Sequence, residues 1–321
     1  MKTVSAAVAS PPRIASRNFT RYAWGVVGWN IAVVLWGAYV RASGSGAGCG
    51  NHWPLCNGEV VPHAPQIQTL IEFTHRAMTG IAFVAVVALL AWSIRAFPRR
   101  HPARRMALAS FAFLIVEALL GAGLVLFDYV GANSSVGRAL YLSLHLANTL
   151  LLLAALALTA WFSREPEVVR GHASRMVAAA LPVALLVSIS GGIAALGDTL
   201  FPVSSLAEGI RQDLSGTAHF LLRLRVFHPV LAIAGGVFFG AVAMWVMRWS
   251  GRRELRRIAM AVLVLTIAQL CAGAINLVLL APVAMQMVHL LLADLVWISL
   301  VLMTVETAEL PPVESRSAPM R

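Results

Sequence analysis

Four histidines at positions 75, 145, 228 and 289 lie inside long apolar runs, whereas the other five of the nine (His52, His63, His101, His172 and His219) lie in polar connecting stretches. An ionisable side chain inside a membrane is costly and marks a functional site by default. A single histidine there would read most simply as a helix–helix hydrogen bond. Four at matching depth do not, because His75 pairs with His228 at an offset of 153 residues and His145 with His289 at 144. Two neutral imidazoles facing each other inside a four-helix bundle supply axial nitrogens above and below a flat iron porphyrin, while apolar helix faces cover the ring. The expected stoichiometry is one haem-sized site per half of the chain, His75 with His145 and His228 with His289, and a four-histidine metal centre is disfavoured. Glu72 stands three residues before His75 and so shares its helical face, while its counterpart at the same offset is Arg225. A carboxylate beside one site and missing from the other suits one catalytic and one auxiliary site, with Glu72 as general base or cation stabiliser. An ion pair between Glu72 and Arg76 is the competing reading.

The elements that must hold these residues are membrane helices. Of 321 residues 59% are apolar and 12% charged, against about 45–50% and about 25% in a soluble domain. Eight runs are long enough to cross about 30 Å of hydrocarbon: 22–41, 70–95, 106–127, 139–162, 176–196, 219–247, 258–281 and 283–305. They are continuous and Leu/Ala/Val-rich, which excludes a barrel of alternating strands. Lys and Arg outnumber Asp and Glu by 25 to 14, giving a net charge of +11. That excess is a topology signal and calls for no nucleic acid: 19 of the 25 cations lie in the N-tail, around 95–105, 164–175 and 248–257, and in the C-tail. The positive-inside rule then places both termini in the cytoplasm. The six others, Arg41, Arg76, Arg138, Arg211, Arg223 and Arg225, lie on or beside the opposite loops. The apolar patch before Pro11-Pro12 is too short for a secretory signal core, so the first span is expected to act as its own uncleaved signal.

The two halves of the chain correspond. Trp-Gly37-Ala-Tyr-Val-Arg41 at the end of the first span matches Ser-Gly191-Gly-Ile-Ala-Ala195 at the end of the fifth, and Glu117-x-x-x-Gly121-Ala matches Gln269-x-x-x-Gly273-Ala. Four spans per unit keep both units in one orientation, so the repeat axis should run along the membrane normal. The predicted object is an all-α integral membrane protein of eight transmembrane helices, arranged as two tandem four-helix bundles related by a pseudo-two-fold axis. Its parts are a cytoplasmic N-tail 1–21, an N-terminal bundle 22–165, a C-terminal bundle 166–307 and a cytoplasmic C-tail 308–321. In the first outside loop Cys49 and Cys56 lie on the oxidising side, where a disulfide is expected. A Cys49/His52/Cys56 metal site competes, weakened by its spacing and the lack of a fourth ligand nearby. Arg76, Arg138, Arg223 and Arg225 are candidate partners for porphyrin propionates. Cys271 is expected to be a small buried residue and Asp294 a helix–helix hydrogen-bonding group; Glu117 receives no role.

Several stretches together resemble the haem A synthase family: Arg41-Ala-Ser-Gly-Ser-Gly-Ala-Gly-Cys49 running to Trp53-Pro-Leu-Cys56-Asn-Gly, Glu72-Phe-Thr-His75-Arg76, His145-Leu-Ala-Asn, Ala195-Leu-Gly-Asp198-Thr, Arg223-Leu-Arg-Val-Phe-His228-Pro, and His289-Leu-Leu-Leu. They span about residues 22 to 305. The resemblance implies oxidation of the methyl at ring position eight of haem O to a formyl group, by successive hydroxylations and loss of water, to supply haem A for terminal oxidases. It implies haem O bound between His75 and His145 with Glu72 as the essential acid, and a haem b cofactor between His228 and His289. The pair Cys49 and Cys56 matches the bacterial, cysteine-containing type, with a disulfide ordering the loop over the substrate site. It also implies the bacterial cytoplasmic (inner) membrane as the location. The partners implied are an electron acceptor and a haem O-forming prenyltransferase, with an oligomer allowed. With both axial positions of the substrate taken, electron removal from the porphyrin followed by water attack on the methyl carbon is the expected route. Two other readings compete: a two-haem, cytochrome b-like electron-transfer protein without porphyrin chemistry, and a parallel-repeat transporter with a histidine proton relay.

Overall fold

The computed structural model describes residues 13–164 and 174–308. The expectations for positions 1–12, for the loop around His172 and for the tail beyond 308 lie outside the described residues. Within them the regular structure is helical, with an isolated antiparallel bridge between Cys56 and Glu59 in the first connecting loop. The helices are α1 (Arg13–Ala42), α2 (Ile67–Ala96), α3 (Pro102–Leu126), α4 (Val136–Phe162), α5 (Arg175–Ala178), α6 (Ala180–Leu200), α7 (Leu206–Asp213), α8 (Phe220–Arg225), α9 (Phe227–Trp249), α10 (Arg253–Val278) and α11 (Val283–Thr307), with a short 3-10 turn at Ser45–Ala47. Eight stretches are long and apolar enough to span a membrane, with α5 and α6 forming one and α8 and α9 another. They match the eight predicted runs and extend past several of them, because polar flanks keep the helical hydrogen-bond ladder going beyond the apolar stretch.

Both composite spans break for the same reason. Proline has no N–H to donate four residues back. Pro182 therefore leaves the carbonyl of Ala178 without a helical donor, and Pro229 leaves that of Arg225; these are the last residues of α5 and α8. Each proline then sits in the first turn of the following helix, where a missing donor costs little. His101 and His219 start helices: their ring nitrogens accept from the backbone N–H of Ala103 and Leu221.

In the first half α1 packs on α2, α2 on α3, α3 on α4 and α4 back on α1; in the second α6 packs on α9, α9 on α10, α10 on α11 and α11 back on α6. Helices α1, α4, α6 and α11 also touch across the two sets. One apolar core runs through both halves, from Phe19, Leu89 and Phe97 through Leu153 and Leu156 to Leu255, Leu300 and Met303. Phe19 packs its ring edge-on against Phe97 at 5.0 Å and Trp92 at 5.6 Å. Trp297 donates to the Leu150 carbonyl at 2.6 Å across the contact between the halves. At the loop end the bond between halves is polar: Arg41, on α1, donates to the Ala195 carbonyl at 2.6 Å, to the Thr199 hydroxyl at 2.8 Å and to Gln286 Oε1 at 3.0 Å.

Two minor expectations are corrected. Cys271 is exposed on α10, where a near-uniformly apolar span gives no periodic sign of which side faces outward. Asp294 is buried with neither carboxyl oxygen hydrogen-bonded, so it is no helix–helix hydrogen-bonding group.

Candidate functional site

Around the four histidines the helices leave accessible space, between the main apolar core and a small packed cluster of Ala139, Leu196 and Leu221 at the loop end. No residue is buried over 73–81, 140–147, 223–234 or 281–293, the four stretches that contain His75, His145, His228 and His289. Each stretch covers at least two turns, so even inward-facing positions there keep accessible surface. Close-packed interiors do not leave such space unless something fills it.

Small residues make room for each imidazole. A Cβ at Gly37, Gly191 or Gly273 would lie 2.9 Å from Cε1 of His75, His228 and His289 respectively, and one at Gly121 would lie 3.7 Å from Cε1 of His145. Thus every intramembrane histidine faces a glycine of a neighbouring helix, and these are the glycines the internal repeat aligns. Gly191→Ala is expected to displace His228, at a cost of about 1–3 kcal/mol for overpacking. The check is pigment retention: the variant should purify with bound haem clearly below the wild-type ratio to protein, while Gly28→Ala, with open space around its Cβ, should not.

His228 and His289 face each other with ring centroids 6.4 Å apart and planes 82° apart. Ser190 Oγ lies 3.0 Å from His228 Nδ1 and donates its own proton to the Val187 carbonyl at 2.7 Å. With that proton on the Val187 carbonyl the hydroxyl accepts from the ring, which places the ring proton on Nδ1 and leaves Nε2 with a free lone pair. Gln269 Nε2 lies 3.3 Å from His289 Nε2. In the other half His75, on α2, is seated against Gly37 and His145, on α4, against Gly121. The Nδ1 atoms of His75, His145 and His289 are buried without a hydrogen-bond partner. The donor set fits an iron porphyrin: with metal–imidazole bonds of about 2 Å, two rings on one metal have centroids about 6 Å apart, close to the observed spacing. Within the described residues no cluster of three or more His, Cys, Asp or Glu is arranged for a bare metal ion.

Glu72 is 4% exposed. Its Oε2 accepts the backbone N–H of Cys49 at 2.9 Å, and its Oε1 pairs with the Arg76 guanidinium. The expected Cys49–Cys56 disulfide is present, with Cα atoms 4.4 Å apart. Its loop is bound down on α2 at three points. Glu72 holds Cys49, Thr69 donates to the Gly48 carbonyl at 2.8 Å, and Arg76 donates to the carbonyls of His52 and Leu55, each at 2.6 Å. Gly48 permits the approach, since a Cβ there would sit 2.5 Å from the Gln68 backbone.

The other arginines also have protein partners. Arg138 donates to the Gly131 and Asn133 carbonyls, Arg223 to the Gly216 carbonyl, and Arg225 pairs with Asp198 at 2.8 Å and Asp213 at 2.5 Å. Glu208 is engaged locally, where the hydroxyl and backbone N–H of Ser204 hold its carboxyl below the usual range. Sequence reasoning passed over Ser190, Gln269 and the glycines as site residues, although the repeat that aligned Gly37 with Gly191 and Gly121 with Gly273 carried the signal.

An all-helical bundle with paired histidines around a hollow defines a class of membrane protein suited to binding tetrapyrroles. The chain belongs to the COX15-CtaA family of cytochrome oxidase assembly proteins, whose model matches residues 20–301. It is 49% identical over 292 residues to a Thermus thermophilus protein named protoheme IX farnesyltransferase, covering 90% of this chain and 48% of that one. It is 40% identical over 96 residues to a heme A synthase of Exiguobacterium sibiricum, covering 30% of this chain and 32% of the relative. A heme A synthase of Alkalihalophilus pseudofirmus is 37% identical over 128 residues, 40% of each chain. The chain spans about half the length of the Thermus relative, and these heme A synthase matches cover less than half of theirs.

Proposed function

We propose that this chain is a haem A synthase of a bacterial cytoplasmic membrane, with both termini cytoplasmic and two four-helix bundles related by an axis along the membrane normal. Counterpart helices meeting across the halves, α1 with α6 and α4 with α11, support that axis. The substrate is haem O, held between His75 and His145, and the cofactor is haem b, held between His228 and His289. When bound, haem b supplies a one-electron redox centre. The observation that carries the reading is the asymmetry between matched sites: Glu72, beneath the disulfide loop, stands where the other half has Arg225.

The net change at the substrate is CH3 + H2O → CHO + 4 e− + 4 H+, in two hydroxylations followed by loss of water from the geminal diol. Glu72 takes a proton from the attacking water at each hydroxylation; Arg76 orients its carboxylate, and the loop over Cys49 limits solvent access. The electrons leave through the second half to an acceptor. A haem O-forming prenyltransferase supplies the substrate, a link suggested by the name and double length of the Thermus relative. Turnover in 18O-labelled water is expected to place label in the formyl oxygen, provided the product is analysed before the aldehyde exchanges with water. Label arriving from dioxygen instead would sink this mechanism.

A further inference from the structure

The two halves differ at a second matched position. In the N-terminal half Glu117, on α3, faces His145, with its Oε1 3.4 Å from the ring Nδ1. Asn148 Nδ2 donates to Oε2 at 2.6 Å and to the Phe113 carbonyl at 2.9 Å, which fixes the carboxylate in place. Thr149 Oγ is in contact with Oε1 and lies 2.9 Å from the His145 carbonyl. Its single proton serves only one of them. Whichever of them it serves, Oε1 can accept a second hydrogen bond, and His145 Nδ1, 3.4 Å away and buried with no hydrogen bond of its own, is the group placed to provide it. At the matching place in the other half stands the neutral amide of Gln269, whose Nε2 lies 3.3 Å from His289 Nε2, while His289 Nδ1 has no hydrogen-bond partner.

A carboxylate that accepts the distal N–H of a metal-bound imidazole fixes its tautomer and strengthens it as an electron donor; an amide does so far less. Outer-shell hydrogen bonding of this kind is one of the levers that set haem potentials. We propose that Glu117 is a positioning residue that acts through His145 to lower the reduction potential of the N-terminal site relative to the C-terminal site, where Gln269 stands in its place. This rests on the histidine assignment above and deepens it. Electrons withdrawn at the His75/His145 site then run downhill to the His228/His289 site.

The test is potentiometric titration, followed by visible absorbance, of full-length protein loaded with protohaem. In a His228→Ala background, which isolates the N-terminal site, Glu117→Gln is expected to shift the ferrous-to-ferric ratio at fixed potential about tenfold toward ferrous, equivalent to about 59 mV upward for a one-electron couple. In a His75→Ala background Gln269→Glu should shift the other site in the opposite sense, and this arm decides alone if the first variant does not fold. A change of less than about twofold in the folded variants overturns the role of Glu117 while leaving the histidine assignment standing. If His145→Ala instead keeps haem at both sites, the histidine assignment fails, and the role of Glu117 fails with it.

Discussion

His228→Ala is expected to yield protein without its resident haem, losing nearly all of the Soret absorbance of protein purified from cells that make no haem O. His75→Ala, made in the same cells, should keep it. A buried axial imidazole has no substitute here. On the α9 side of the C-terminal site the ring is oriented by Ser190 and seated against Gly191, and alanine would remove the ligand and leave the hollow. Loss of metal ligation typically ends binding outright, whereas loss of an outer-shell partner costs about 10–100-fold. Ser190→Ala should therefore fall between the two, with haem retained but more readily extracted. Equal loss of the resident haem in His75→Ala and His228→Ala would overturn the division into substrate and cofactor halves.

Glu72→Gln should bind haem in both halves and fail to make haem A, with a fall of about 10²–10⁴-fold if the carboxylate acts as general base. The substitution keeps the side chain's shape and its ability to accept the Cys49 N–H, so the disulfide loop should remain seated. Haem A measured by pigment extraction from cells supplied with haem O gives the activity, and the spectrum of the purified variant reports occupancy. A purely structural ion pair with Arg76 predicts otherwise: Glu72→Gln and Arg76→Gln would then lose activity in parallel with folded protein, and the Glu72→Gln protein that folds would remain active. That outcome would remove Glu72 from the chemistry; absence of haem A even with the wild-type protein would leave the electron-transfer reading in possession.

The eight spans were legible because apolar length alone specifies a membrane helix, and the alternating cations gave a predicted sidedness. The four histidines were legible because a polar group in an apolar run stands out, and the repeat paired them. What periodicity could not supply is orientation within spans that are apolar on all sides, which is why Cys271 faces outward against expectation. Asp294 shows a related gap, since a polar residue in an apolar span need not find a partner. The prolines at 182 and 229 announced breaks that a window of mean hydropathy smooths over. Long-range contacts were the least visible. Nothing local in the sequence says that the backbone of Cys49 rests on Glu72, 23 residues on, or that Arg41 reaches a carbonyl 154 residues away.

That last contact bears on how such a chain could have arisen. Arg41 grips the backbone of Ala195, the residue the internal repeat assigns as its own counterpart. On the proposed axis, a dimer of two identical four-span ancestors would have set two guanidiniums against each other at this point, like charges in a poorly solvated place. Duplication and fusion within one gene would have freed one copy to become alanine and let the survivor serve both halves. The same release from identity would allow Glu72 and Glu117 to persist on one side while Arg225 and Gln269 took their places on the other.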